Sequence, residues 1–210
     1  LGITILKHNY DETDFKAALQ IAFEHDNTVL IEKFIPGREF RIFIINDEVV
    51  GILHRVPANV TGDGVLNIGQ LIDRKNEDPL RGKGYRTPLE KIRKGREEEM
   101  FLKQQGMDFN TVPKEREVVY LRENSNISTG GDSIDFTDDI DDSYKAIAVE
   151  AAKALNVKIT GLDMMIHAPA TPDNYAIIEM NFNPAIHIHC YPFKGKNRHL
   201  NHKMIKALGF

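Results

Sequence analysis

Glu179 and Asn181 stand two residues apart in a segment, 175–181, that reads as a β-strand. Both side chains therefore point to the same face. Asp163 falls on the preceding predicted strand, roughly 157–167, and the short connection Pro169 to Asn174 would lay the two strands side by side. An Asp, a Glu and an Asn on one face form an all-oxygen ligand set. That set suits a hard cation such as magnesium, which keeps several waters and shares its other positions with phosphate oxygens. A carboxylate lying between two cations could bridge them, as two-metal phosphoryl chemistry requires. The same residues also fit a polar strand facing solvent, because single carboxylates on strands are common.

Two further stretches carry candidate chemistry. In Glu32-Lys33-Phe34-Ile35-Pro36-Gly37-Arg38-Glu39-Phe40-Arg41, an extended backbone leaving a strand could hydrogen-bond an adenine edge. An acidic residue beyond the Pro-Gly turn could then hold ribose hydroxyls; a hairpin corner with surface charges is the alternative. The run Arg122-Glu123-Asn124-Ser125-Asn126-Ile127-Ser128-Thr129-Gly130-Gly131 combines a permanent cation, amides, hydroxyls and two glycines that permit close backbone approach. Such a loop suits an anionic intermediate, and an ordinary turn-rich loop would look the same. His187-Ile188-His189-Cys190, with His199 and His202 downstream, lacks the spacing of a zinc site, so a substrate-pocket or packing role is expected.

The elements that would position these residues follow from periodicity. Phe15, Ala18, Leu19, Ala22 and Phe23 fall on one stripe of a helix over 11–25, with Asp11 or Thr13 as cap. A strand is predicted from Val29 to Ile35, a turn at Pro36-Gly37, and a hairpin from Phe40 to Ile45 and Val49 to Val56 around Asn46-Asp47. The glycine- and charge-rich stretch 57–116 reads as a long insertion on one sheet edge, with a helix stopping at Gly106. Val118 to Leu121 is a predicted strand. A helix over 143–155 buries Tyr144, Ile147, Ala148, Ala151, Ala152 and Leu155, and a last helix covers about 200–208. Locally paired strands with helices between them give an α+β fold with a largely antiparallel sheet and flanking helices.

Bulk properties narrow the classes. With 210 residues the chain can bury a sizeable core, and 41% hydrophobic with 28% charged residues is ordinary for a globular protein. A net charge of -4 offers no electrostatic reason for a nucleic-acid partner. No apolar run approaches the roughly 20 residues that a membrane span needs. The single cysteine, Cys190, fits a reducing compartment, so the cytoplasm is expected. The chain opens Leu1-Gly2-Ile3-Thr4-Ile5, as though in mid-strand, and is expected to be a piece of a longer polypeptide.

Together these strings resemble the ATP-grasp ligases. Glu-Lys-Phe-Ile-Pro-Gly-x-Glu is similar to the family's adenine hinge followed by its ribose-binding Glu, and Asp163 with Glu179-x-Asn181 to its metal ligands. Arg55 to Gly64, Asp78-Pro79-Leu80-Arg81-Gly82, the Arg122 to Asp132 loop and Asn181 to His189 resemble one subgroup over essentially the whole chain. That subgroup holds the bacterial bifunctional glutamate–cysteine ligase/glutathione synthetases, with cyanophycin synthetase as a near relative.

The resemblance implies the C-terminal portion of an ATP-grasp fold: residues 1–35 end the small lobe and lead to the hinge, and 36–210 form the large lobe with its insertion at about 57–116. It implies adenine contacts at Glu32, Lys33, Phe34 and Ile35, ribose at Glu39, and ATP with magnesium or manganese, two ions, at Asp163, Glu179 and Asn181. Catalytic charge would come from Arg122, Arg55 and Arg41, and substrate contacts from Asn124, Ser128, Gly130, Gly131 and Asn183. The implied reaction joins γ-glutamylcysteine and glycine through an acyl phosphate, which needs no nucleophilic Cys190. An upstream glutamate–cysteine ligase domain would share the polypeptide, and a homodimer is expected. The family's phosphate-covering lysine strand and glycine-rich loop precede the hinge, and Lys7 is poorly placed to be that lysine, so this stretch by itself would not be a competent catalyst. A cyanophycin-synthetase-like ligase and a non-catalytic nucleotide-binding module are the alternatives.

Overall fold

The computed structural model describes residue 6, residues 11–169 and residues 174–210, so Lys7 lies outside the described residues. The chain divides into two compact units, Leu1–Pro36 and Gly37–Phe210. In the first, α1 (Glu12–Phe23) starts on a reciprocal cap. The Asp11 carboxylate accepts from the Thr13 and Asp14 amides at 2.8 and 2.9 Å, and Asp14 accepts from the Asp11 amide at 3.2 Å. Phe15, Ala18, Leu19 and Ala22 are half-buried, whereas Phe23 is exposed. The strand predicted from Val29 to Ile35 does not form. β-branched residues make a strand only where a neighbouring backbone completes the ladder, and among the described residues no ladder forms there; Leu30 and Ile31 remain exposed.

In the second unit, Asn46 and Asp47 adopt positive φ (47° and 65°), the geometry of a two-residue hairpin turn. They join β1 (Arg38–Ile45) to β2 (Glu48–Val56) as the sequence predicts. There follow β3 (Asn59–Thr61), α2 (Ile68–Lys75), β4 (Arg81–Gly82), β5 (Leu89–Glu90), α3 (Arg96–Gln104) and β6 (Val118–Tyr120). After a 3-10 turn at Ile127–Thr129 come β7 (Asp132–Asp135), α4 (Asp142–Ala154), β8 (Ile159–Ile166), β9 (Tyr175–Asn181), α5 (His187–Cys190) and α6 (Leu200–Ala207).

Five strands form one antiparallel sheet in the order β7-β2-β1-β8-β9. One face packs Phe40, Ile42, Ile44, Ile52, Leu162, Met164 and Ile166 beneath Tyr144, Ala148 and Ala152 of α4. Leu155, predicted to join that stripe, is exposed because α4 ends before it. Alternation then obliges Glu39, Arg41 and Phe43 of β1 to face the other way. On that second face α5 and α6 cover Phe43, Ile45 and Val50 with Cys190 and Leu200, leaving the Glu39–Arg41 end for polar groups. The short strand β7 was not predicted. Its Asp132, Ser133 and Asp135 are polar yet buried, so hydrophobic alternation gives no signal there.

The stretch expected as an insertion folds around its own apolar cluster. Ala58, Val60, Ile68, Leu71, Ile72, Ile92, Leu102, Val119 and Leu121 pack together, and β3 pairs β6 to close the unit. Gly106, at φ 72°, stops α3 as predicted, with the Gly106 and Met107 amides capping the Lys103 and Leu102 carbonyls at 3.0 Å each. Truncating Ile72 to Ala should therefore lower the free energy of unfolding by about 2–5 kcal/mol, read from urea denaturation. A loss well under 1 kcal/mol would mean that this stretch is merely draped on the sheet edge.

Candidate functional site

Sheet register assembles the polar end of the second face. Arg41 of β1 lies opposite Asp163 of β8, Asp163 lies opposite Glu179 of β9, and Glu39 lies opposite Arg55 of β2. Arg41, Glu39, Arg55 and Glu179, from three strands, thus gather around Asp163 on a fourth. Arg41 Nη2 donates to Asp163 Oδ2 at 2.7 Å and Arg41 Nε to Oδ1, while Arg55 Nη2 reaches Oδ2 at 3.0 Å. The Arg55 guanidinium also pairs with Glu39, whose carboxylate accepts from the Ser125 hydroxyl. The Asp163 side chain is only 2% exposed, and that of Glu179 is 55% exposed. Arg41 Nη2 stands 4.0 Å from Glu179 Oε1.

Asn181 Nδ2 donates to Glu179 Oε1 at 2.9 Å. This donor set fits a hard cation. Glu179 and Asn181 could offer oxygens to it, and Asp163, whose two oxygens accept from Arg41 and Arg55, stands behind them. Among the described residues no group of three or more His, Cys, Asp or Glu side chains forms a metal cluster, so His187, His189 and Cys190 do not form one. Gly161 has its own part in the geometry. A Cβ there would lie 2.7 Å from Pro184 Cβ and 3.1 Å from Arg41 Cδ, so the bare backbone is what admits the Arg41 side chain.

The other expected residues are placed less directly. Glu32, Lys33, Phe34 and Ile35 belong to the first unit, outside any helix or strand, and the first three are exposed. Glu39 belongs to the second unit. Arg122 is held by two acids of α3, pairing with Glu97 and donating through Nε to Glu98 at 2.6 Å. Asn124 accepts from Thr129 Oγ1 at 2.9 Å, Ser128 is half-buried and Asn183 is exposed. Gly130 and Gly131 are required by packing. A Cβ on Gly130 would sit 2.8 Å from the Ile92 backbone, and one on Gly131 would sit 2.9 Å from three carbonyl oxygens.

Sequence reasoning missed the buried cluster behind that loop. Asp132 accepts from Arg81, from Lys75 Nζ at 2.7 Å and from Asn59 Nδ2 at 2.9 Å, and Arg81 Nη1 donates to the Gly130 carbonyl at 3.1 Å. Burial lowers the pKa of both Lys75 and Arg81, and the Asp132 carboxylate opposes the shift. The Phe193 ring faces both cations at 5.0 and 5.3 Å. A second unforeseen clamp fixes the segment before α6, with Arg198 gripping Asp135 and Asp138. The partners lie more than fifty positions apart, so no local spacing could have revealed them.

Comparison with known proteins now bears on this arrangement. No protein-family model matches the chain. The glutathione biosynthesis bifunctional protein of Desulfotalea psychrophila is 62% identical over 213 residues, covering 100% of this chain and 27% of that protein. Its counterpart in Clostridium perfringens is 56% identical over 211 residues, covering 99% and 27%. A crystal structure of a bifunctional glutathione synthetase from Pasteurella multocida superposes with a TM-score of 0.79 at 44% identity, covering 99% of this chain and 29% of that one. Over essentially its whole length the chain is similar to one stretch of the bifunctional glutathione biosynthesis proteins. Its α+β architecture, a largely antiparallel sheet with flanking helices, is shared with the matching stretch of that crystal structure. The chain spans about a quarter of the length of the curated relatives it matches.

His189 was expected to serve a substrate pocket or packing, and its surroundings are those of packing. It is fully buried, edge-on to Phe43 at 5.4 Å, and neither ring nitrogen has a hydrogen-bond partner among the described residues. Burial, followed by the nearby Arg41 charge, pushes its pKa down from 6.5 to about 3. The folded state therefore keeps His189 neutral while the unfolded state takes a proton below pH 6.5. Its contribution to stability is complete above that pH and declines as pH falls from 6.5 towards 3. His189→Leu should flatten part of this acid limb and leave neutral-pH stability within about 1.5 kcal/mol of wild type, as measured by thermal unfolding across pH. An unchanged acid limb would show that His189 titrates normally.

Proposed function

We propose that this chain carries the metal- and phosphate-handling part of an ATP-dependent carboxylate–amine ligase that joins γ-glutamylcysteine to glycine. The observation that carries the reading is the convergence of Asp163, Glu179 and Asn181 with Arg41 and Arg55 on one sheet face. In this reading residues 1–35 lead from the small lobe to the adenine hinge, with Glu32, Lys33, Phe34 and Ile35 at the base and Glu39 at the ribose. Residues 36–210 are the large lobe, and the stretch at about 57–116 is its insertion.

The γ-phosphoryl group of ATP passes to the substrate carboxylate, giving an acyl phosphate, and the glycine amine attacks that carbonyl and expels phosphate. Magnesium or manganese, two ions in this reading, would be held by Asp163, Glu179 and Asn181 and would neutralise charge on the transferring group. Arg41 and Arg55 supply fixed positive charge beside the same oxygens. Arg122 serves the acyl phosphate once its pairs with Glu97 and Glu98 open, and Asn124, Ser128, Gly130, Gly131 and Asn183 line the substrate side. The buried Arg81–Asp132–Lys75 cluster holds the Gly130 carbonyl and so fixes that loop's shape.

Among the described residues no helix is long and apolar enough to cross a membrane. The same reading puts a homodimer in the cytoplasm, with γ-glutamylcysteine arriving from an upstream glutamate–cysteine ligase domain. The test is magnesium-dependent phosphate release from ATP by the complete polypeptide, given γ-glutamylcysteine with and without glycine. Release should require both, and Arg122→Ala should lower it on the order of 10²–10³-fold. Release only with another peptide and amino acid, such as aspartate or arginine as acceptor, would keep the ligase chemistry and reject the substrate pair.

A further inference from the structure

The Asp163 carboxylate has little room for a cation. A carboxylate offers about four lone-pair sites. Arg41 Nε takes one on Oδ1, and Arg41 Nη2 (2.7 Å) and Arg55 Nη2 (3.0 Å) take two on Oδ2. Arg41 also stands 4.0 Å from Glu179, so its guanidinium lies between the two acids a metal ion would join. Glu179, by contrast, is more than half exposed and shares only one oxygen, with Asn181. The site is therefore open on the β9 side and closed on the β8 side. The second guanidinium on Asp163 has spare capacity, since Arg55 Nε is buried with no hydrogen-bond partner among the described residues. A phosphate chain offers such groups a better anion, because guanidinium forks onto phosphate oxygens in two-point contacts.

We propose that Arg41, aided by Arg55, occupies the cation's place on Asp163 until nucleotide phosphate draws the guanidinium groups away, so that nucleotide and metal bind as a coupled pair. The proposal rests on the reading of Asp163, Glu179 and Asn181 as the metal's ligands. By linkage, the factor by which nucleotide tightens the metal equals the factor by which the metal tightens nucleotide. Arg41 is then a positioning residue for the metal site as well as a source of charge.

The experiment titrates Mn²⁺ into the complete polypeptide and follows the free-ion paramagnetic resonance signal, with and without ADP. Arg41→Met should raise affinity for Mn²⁺ alone by about tenfold, the worth of one charge-assisted bond, and Arg55→Gln should raise it less. Arg38→Met removes a charge from the same strand, but that residue faces His54 at 3.0 Å and makes no bond to Asp163, so it should change nothing. Adding Asp163→Asn to Arg41→Met should abolish the gain. If Arg41→Met does not fold, Arg55→Gln and its Asp163→Asn double variant carry the same comparison. Unchanged or weaker Mn²⁺ binding in the arginine variants, with normal binding in the presence of ADP, would overturn the proposal and leave the metal site standing. Binding that ignores Asp163→Asn with and without ADP would remove the metal site and the proposal together.

Discussion

Everything at this site depends on how a buried carboxylate, Asp163, is accommodated inside a sheet. A lone carboxylate at 2% exposure would be strongly disfavoured. Two guanidinium groups from neighbouring strands make it tenable, and the bidentate Arg41 contact fixes its orientation. Removing one partner from such a buried pair is far costlier than the net worth of the pair. The arrangement thus acts as a constraint on the sheet. Arg41 must sit opposite Asp163, Arg55 must sit beside Glu39, and no strand can slip by one residue without turning these groups into the apolar core.

The rest of the second unit maintains that register. The tight Asn46-Asp47 turn sets β1 against β2, and the face under α4 is filled by Phe40, Ile42, Ile44, Ile52, Leu162, Met164 and Ile166. On the opposite face, α5 and α6 cover the end near the hairpin turn and leave the Glu39–Arg41 end polar. The insertion has its own core and leads into the 122–131 loop, and Asn59, Lys75 and Arg81 tie it to Asp132 of β7. That loop reaches the central network through the Ser125 hydroxyl, which donates to Glu39. It is backed by the Arg81–Asp132–Lys75 cluster, one anion between two cations with Asn59 completing it.

The sequence revealed those features that repeat along it. The hairpin, α1, α4, β8 and β9 were legible because apolar residues recur at strand or helix spacing, and Glu179 and Asn181 were legible as a same-face pair. Val29 to Ile35 misled, because its β-branched residues indicate preference and say nothing about a partner strand. β7 was invisible because its buried residues are polar and are stabilised by cations far away in the chain. The glycines at 130 and 131 were legible as points of close backbone approach. Their bareness accommodates Ile92 and the carbonyl oxygens of Ser125, Asn126 and Val56. Nor could spacing show that Arg122 rests on Glu97 and Glu98, since that pairing depends on how α3 packs.

The central claim is that the polar end of this sheet face is where the nucleotide's metal ion binds. The most direct test is anomalous diffraction from crystals of the complete polypeptide grown with ADP and Mn²⁺. The account predicts a manganese peak within coordination distance, about 2.0–2.3 Å, of oxygens from Glu179, Asn181 and Asp163. A peak bound elsewhere, with ADP in place and Asp163 still fully paired to Arg41 and Arg55, would contradict it.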